Sequence, residues 1–232
     1  MIRLIKYTMK QDFLQVEKEL WQQGYKAVIG LDEVGRGAVA GPVVACAVIL
    51  KKKKNFFTKT KIKFPIFNNQ IYDSKKLTPQ KREEFYDCLT KDPNIKWGIG
   101  WVSERVIEKI NILAATKLAM KRALTRAIKF FPARQENWHD IFLIVDGNSQ
   151  LDLAIAQKAI VRADERVLSC AIASIIAKVT RDRMMRNRHK KYPFYGFDQH
   201  KGYLTKQHQK MLEKYGYCRI HRKSFQPIKH LL

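Results

Sequence analysis

The chain has no run of roughly 20 apolar residues, so no helix is expected to span a bilayer. No basic-then-apolar leader opens it, and the expected location is the cytoplasm. Cysteine is scarce: Cys46, Cys88, Cys170 and Cys218 lie far apart, without a Cys-x-x-Cys or Cys/His cluster. That excludes a disulfide framework and a zinc site, and leaves reduced, mostly packing thiols. No internal repeat is visible. The glycines at 35, 37 and 41 miss the dinucleotide-binding G-x-G-x-x-G by one residue, and no Gly-Lys-Ser/Thr follows them. A nucleotide-phosphate cradle is therefore disfavoured. Acidic residues are few, 21 against 45 Lys+Arg, for a formal net charge of +24. Such an excess is more than solubility needs and suits a polyanion, with nucleic acid the first candidate.

What is present suffices for one sizeable core: 232 residues, 46% of them hydrophobic. Phe13, Val16, Leu20 and Trp21 have helical spacing and stop near Gly24. Apolar, β-branched runs predict strands in "AVIGLD", "GPVVACAVIL", "NIKWGIGWV", "IFLIVDG" and "KAIVRAD". A lysine-rich loop follows the second run from Lys51. Thr78-Pro79 starts a short helix, "NILAATKLAMKRALTRAIKFF" reads as a core-packing helix, and "LSCAIASIIAKVTRDRMMRNRHKKY" as a long one turning basic. A last helix is capped by Thr205 and ended by Gly216. Together these predict a mixed α/β sheet with a small C-terminal helical extension.

Three of the predicted strands finish in an aspartate, at Asp32, Asp146 and Asp164. Parallel strands side by side would converge these at one sheet edge. Glu33 would join them if Gly35 and Gly37 broke the side-chain alternation. Clustered carboxylates repel and are costly to desolvate, so they need a cation, and an oxygen-only set selects Mg²⁺ or Mn²⁺. A pair of such ions can activate water and stabilise the leaving oxygen of a phosphodiester. Taken singly, each aspartate could instead cap a turn. Asp182 competes as fourth acid, although a surface ion pair with Lys178, four residues earlier, is its simpler role. Gly35 and Gly37 would also let backbone groups approach a sugar closely enough to read a 2′-hydroxyl.

"GLDEVGRGAVAGPVV", "DSKKLTPQKRE", "IVDGN", "SIIAKVTRDRMM", "HKGYLTKQH" and "HRKSF" together resemble ribonuclease HII, the type 2 ribonuclease H, in that family's order from residue 30 to 225. The intact Gly-Arg-Gly and the 31 residues before Asp32 fit this type better than ribonuclease HIII. The resemblance implies a ribonuclease H-like mixed sheet flanked by helices, with a catalytic domain at 1–190 and a substrate-binding helical extension at 191–232. It implies an endonuclease that cleaves the RNA strand of RNA–DNA hybrids and incises 5′ of ribonucleotides embedded in duplex DNA, leaving 3′-hydroxyl and 5′-phosphate ends. A monomer is expected. Asp32, Glu33, Asp146 and Asp164 would be the catalytic, ion-binding acids. Gly35, Arg36 and Gly37 would contact the 2′-hydroxyl, and Tyr203 would stack on the neighbouring deoxyribose. Lys75 and Lys76 look like phosphate contacts, and Ser174 and Lys178 would look toward the nucleic acid. Ala38 stands where the family usually has proline, and Ala163 where it has glycine. The rival from another class is a non-catalytic basic RNA-binding protein, which leaves the clustered acids unexplained.

Overall fold

The computed structural model describes residues 13–51, 77–129 and 135–231. Its elements run α1 (Gln15–Gln22), β1 (Ala27–Val34), β2 (Val43–Lys51), α2 (Pro79–Lys91), β3 (Lys96–Val102), α3 (Glu104–Ile128), β4 (Ile141–Asp146), β5 (Ala156–Ile160), α4 (Leu168–Lys191), α5 (Phe197–His200) and α6 (Lys206–Tyr215). One five-stranded sheet has the order β3-β2-β1-β4-β5. β2 is antiparallel to both its neighbours, while β1, β4 and β5 run parallel. This is the mixed sheet with flanking helices that the sequence predicts.

Both sheet faces are covered, so β1 and β2 are near-continuous apolar runs. The two-residue period still sorts their side chains. Val28, Cys46, Val48 and Ile144 pack toward α4, whereas Ile29, Leu31, Ala45, Leu143 and Val145 pack toward α3. α3 is really two helical pieces. Asn111 has φ 64° and ψ 169°, and its Oδ1 accepts from the Ala114 amide at 3.0 Å, capping the longer piece. The predicted helix begins at that same asparagine. The predicted caps of α2 and α6 are also present: Thr78 Oγ1 accepts from the Lys81 amide at 3.3 Å, and Thr205 Oγ1 from the His208 amide at 3.1 Å.

Two tertiary links fix α4, the helix that underlies the strand ends. Glu17 on α1 is fully buried, and its Oε1 accepts from the amide and hydroxyl of Ser169 at 2.8 and 2.9 Å. A carboxylate is thereby set on the positive end of α4. At the other end Met185 joins Val39, Ala40, Tyr195, Phe197, Leu212, Ile220 and Ile228 in a third core. The C-terminal segment therefore packs on the turn between β1 and β2. Cys46 and Cys170 are buried free thiols and Cys88 is an exposed one. Among the described residues no helix is long and apolar enough to cross a membrane.

Candidate metal and nucleic-acid site

Parallel pairing of β1 with β4 sets Leu31 opposite Val145, so the next residues, Asp32 and Asp146, leave the sheet side by side. Each lies two residues beyond a position facing α4, and alternation turns both carboxylates to that side. Asp164 arrives differently from the sequence expectation. β5 ends at Ile160, and Arg162 adopts a left-handed conformation (φ 58°, ψ 44°) that throws the chain into a 3₁₀ turn, Ala163–Glu165. Asp164 is thus on a turn ahead of α4, not at a strand end. The Ala163 amide donates to Asp146 Oδ1 at 2.7 Å and locks that turn to β4. Ala163 is not among the described residues with positive φ; Arg162 takes that conformation, so no glycine is required before the acid. One carboxylate oxygen from each of Asp32, Asp146 and Asp164 falls within 4.8 Å of the others.

Glu33 is not drawn into that group. Its oxygens lie outside that 4.8 Å set, yet its charge acts on Asp32 and Asp146 alike, so it borders the cluster. Its Oε1 accepts from Arg36 Nη1 at 3.1 Å. The ladder with β2 runs through Val34 and ends just before Gly35.

Burial raises the Asp32 pKa well above the usual carboxylate range, and the charges of Glu33, Asp146 and Asp164 push it further, against a hydrogen bond from Ser174. Burial also raises Glu33, while Arg36 pulls it back. Three converging oxygen donors, one of them reluctant to ionise in this setting, fit a hard divalent cation.

Asp182 lies outside the group. Its Oδ1 takes Lys178 Nζ at 2.8 Å and its Oδ2 faces Arg82 Nη1 at 3.8 Å. The expected pair with Lys178 is there, but it is buried rather than on the surface, Asp182 being only 8% exposed. Asp182→Asn is therefore expected to lower stability by about 1–3 kcal/mol by taking the carboxylate from buried Arg82 and part-buried Lys178. Cleavage per folded molecule should persist. Thermal melts alongside active-site-normalised turnover check this, and loss of turnover without loss of stability would make Asp182 a site acid.

Ser174 is buried and hydrogen-bonded to Asp32, which places its hydroxyl beside the acid. Lys178 sits between Asp182 and the ring of Tyr203, 6.0 Å from its centroid. Tyr203 is half-buried, with the Arg181 guanidinium 5.4 Å from the same centroid. Arg36 and Gly37 form the exposed tip of the turn, and Gly35 beneath them is buried. Lys75 and Lys76 lie outside the described residues.

Two arginines that sequence reasoning did not single out frame this turn. Arg222, fully buried, donates to the carbonyls of Gly35 (2.7 Å), Arg36 (2.8 Å) and Gly41 (2.9 and 3.0 Å). Arg181, also fully buried, donates to Pro42 (2.9 Å), Ala40 (3.2 Å) and Lys201 (2.9 Å). Burial and the neighbouring Arg181 charge bring Arg222 down to about 9. The only signal was their place in "VTRDRM" and "HRKSF"; in so basic a chain a buried arginine looks like any phosphate contact.

Comparison with known proteins finds relatives along nearly the whole chain. A family model for ribonuclease HII matches residues 29–228. A ribonuclease HII of Acetivibrio thermocellus is 48% identical over 209 residues, 90% of this chain and 73% of that protein. The ribonuclease HII of Chlamydia caviae is 44% identical over 93% of this chain and 92% of its own. Among solved structures, the ribonuclease H2 of Pyrococcus horikoshii is similar with a TM-score of 0.63 at 24% identity, over 88% of this chain and 96% of that one.

Proposed function

Since the chain belongs to the ribonuclease HII family, metal-dependent endoribonucleases that cleave the RNA strand of RNA–DNA hybrids, we propose that it also incises 5′ of single ribonucleotides embedded in duplex DNA. The products would be a 3′-hydroxyl and a 5′-phosphate. The observation that carries this reading is the convergence of Asp32, Asp146 and Asp164 at one sheet edge, next to an exposed Arg36-Gly37 tip.

Those three acids, with Glu33 within reach if Arg36 yields, would hold Mg²⁺ or Mn²⁺. A pair of such ions would supply activated water and charge stabilisation at the leaving 3′-oxygen. The chain's own share is placement. Arg222 and Arg181 occupy the carbonyls of the glycine turn, so its tip is set before substrate arrives. The Arg36-Gly37 backbone then lies open to a ribose, and the Tyr203 ring to the next sugar. The basic excess, Lys75 and Lys76 included, would grip phosphates without reading sequence.

The test uses one labelled duplex with a single ribonucleotide and one with a continuous RNA tract, each with and without Mg²⁺ or Mn²⁺. Ion-dependent cleavage 5′ of the lone ribonucleotide is expected. Tyr203→Ala should lower kcat/KM at the single site by about fivefold more than within the tract, as loss of about 1 kcal/mol of stacking implies. Binding without cleavage in either ion would return the protein to the non-catalytic class. An equal loss on both duplexes would confine Tyr203 to shaping its loop.

A further inference from the structure

Behind Tyr203 lie three buried histidines that play no part in the chemistry proposed above. His200, His208 and His221 are 9%, 0% and 3% exposed. The rings of His200 and His208 stack at 4.2 Å, and Phe197 sets its ring against all three. Their hydrogen bonds allow one proton order only. The Gly202 amide donates to His200 Nδ1 at 3.2 Å, so the proton of His200 is on Nε2, facing the Tyr195 carbonyl at 2.6 Å. The Cys218 amide donates to His221 Nδ1 at 2.8 Å; an N–H can only donate, which overrides the longer 3.3 Å approach of that nitrogen to the Cys218 carbonyl. His221 therefore carries its proton on Nε2, 3.0 Å from His208 Nε2, which must accept. That leaves His208 its proton on Nδ1, and it donates to the Tyr203 carbonyl at 2.9 Å.

We propose that this ordered network is a positioning device: it fixes the Gly202-Tyr203 backbone against the glycine turn, and so governs substrate choice without touching substrate. Gly202 is held by His200 through its amide, and its carbonyl accepts from the amides of Val39 and Ala40 at 2.9 and 3.2 Å. Tyr203 is held by His208 through its carbonyl. On the other side Arg222, next in the chain to His221, reaches the carbonyls of Gly35 and Arg36, and its amide donates to Val39 at 2.8 Å. Both halves of the proposed sugar reader thus hang from one set of rings. Burial brings His208 and His221 down to about 4 and also lowers His200, which keeps all three neutral and the proton order intact near neutral pH. A rigid, neutral tie suits a loop whose error tolerance is a fraction of a bond length.

The proposal deepens the Tyr203 reading and is tested apart from it. In the wild-type protein, ¹⁵N imidazole spectra should show His208 as the Nδ1–H tautomer and the other two as Nε2–H; His208 protonated at Nε2 would overturn the order. His208→Leu should speed hydrogen exchange at the Val39 and Ala40 amides by about three- to tenfold, the worth of one hydrogen bond, and shift the single-site to tract ratio in the direction of Tyr203→Ala. His208→Asn, whose side-chain N–H can stand in for Nδ1–H, should recover most of both. A lower melting temperature with exchange unchanged would make the network mere packing and end the proposal. If His208→Leu does not fold, the exchange and the ratio of His208→Asn against wild type decide, near-wild-type values being expected and a full loss of both overturning it. If Tyr203→Ala itself leaves the ratio unmoved, the stacking reading falls while the exchange result still decides the network.

Discussion

Asp32→Asn is expected to abolish hydrolysis, by about a thousandfold or more, while duplex binding stays within about twofold and the ion-free protein becomes more stable. The loss of rate follows from place: among the described residues Asp32 is one of the three whose carboxylate oxygens converge, and an amide is a poor partner for a divalent ion. Binding persists because it comes from Lys and Arg contacts to phosphate. The gain in stability is the less obvious part. Burial and the charges of Glu33, Asp146 and Asp164 raise Asp32 in the fold above its value in the unfolded chain. Below the unfolded value the group is protonated in both states and has no effect. As pH climbs past it the unfolded chain ionises first, so stability is lost progressively until the folded pKa is reached, and above that the penalty is complete. At neutral pH asparagine removes it. Thermal melts in a chelator should therefore rank the variant above wild type, and added Mg²⁺ or Mn²⁺ should raise wild type far more than the variant. A variant that cuts normally, or that melts lower in chelator and gains as much from the ion, would remove Asp32 from the ion site. Asp164→Asn should share the loss of hydrolysis.

That Asp32 and Asp146 would meet was legible because β1 and β4 are unbroken apolar runs and parallel pairing leaves no choice about where their ends go. The route of Asp164 was not, since the left-handed Arg162 and a three-residue 3₁₀ turn leave no periodic trace in "KAIVRADE". Glu33 was legible as the neighbour of Asp32, but that Arg36, three residues on, holds its carboxylate was not. Hardest to see were groups whose partners are backbone. Arg181 and Arg222 are satisfied by carbonyls of a turn 139 to 187 residues away. His208 is satisfied by a carbonyl five residues away and by His221. No pattern of side chains announces a carbonyl.

The glycine turn supplies the second large effect, as a contrast between two near-identical substitutions. Gly35→Ala is expected to lower stability by about 2–5 kcal/mol, adding a left-handed backbone to an overpacked contact. Gly35 has φ +92°, and a methyl there would lie 2.1 Å from Arg181 Nε and 2.7 Å from its Cδ. Arg181 cannot swing aside cheaply, because the same guanidinium holds the carbonyls of Ala40, Pro42 and Lys201. Gly37→Ala meets none of this: its φ is not positive and a methyl would find nothing within 4 Å. Its melting temperature should match wild type to within about 0.5 kcal/mol of stability. Yet Gly37 sits at the exposed tip beside Arg36, and a methyl would occupy the space a ribose needs to bring its 2′-hydroxyl to the backbone. The kcat/KM on every ribose-containing duplex should fall by about tenfold or more, since a buried polar partner is left unmet when the approach is blocked. Ion-induced stabilisation should be unchanged, because the three aspartates do not touch that methyl. Melts with and without Mg²⁺, set beside kcat/KM, separate the two substitutions: Gly35→Ala loses the fold that carries the reader, and Gly37→Ala keeps the fold and loses the reading. Wild-type turnover in Gly37→Ala would place recognition of the ribose somewhere other than this tip.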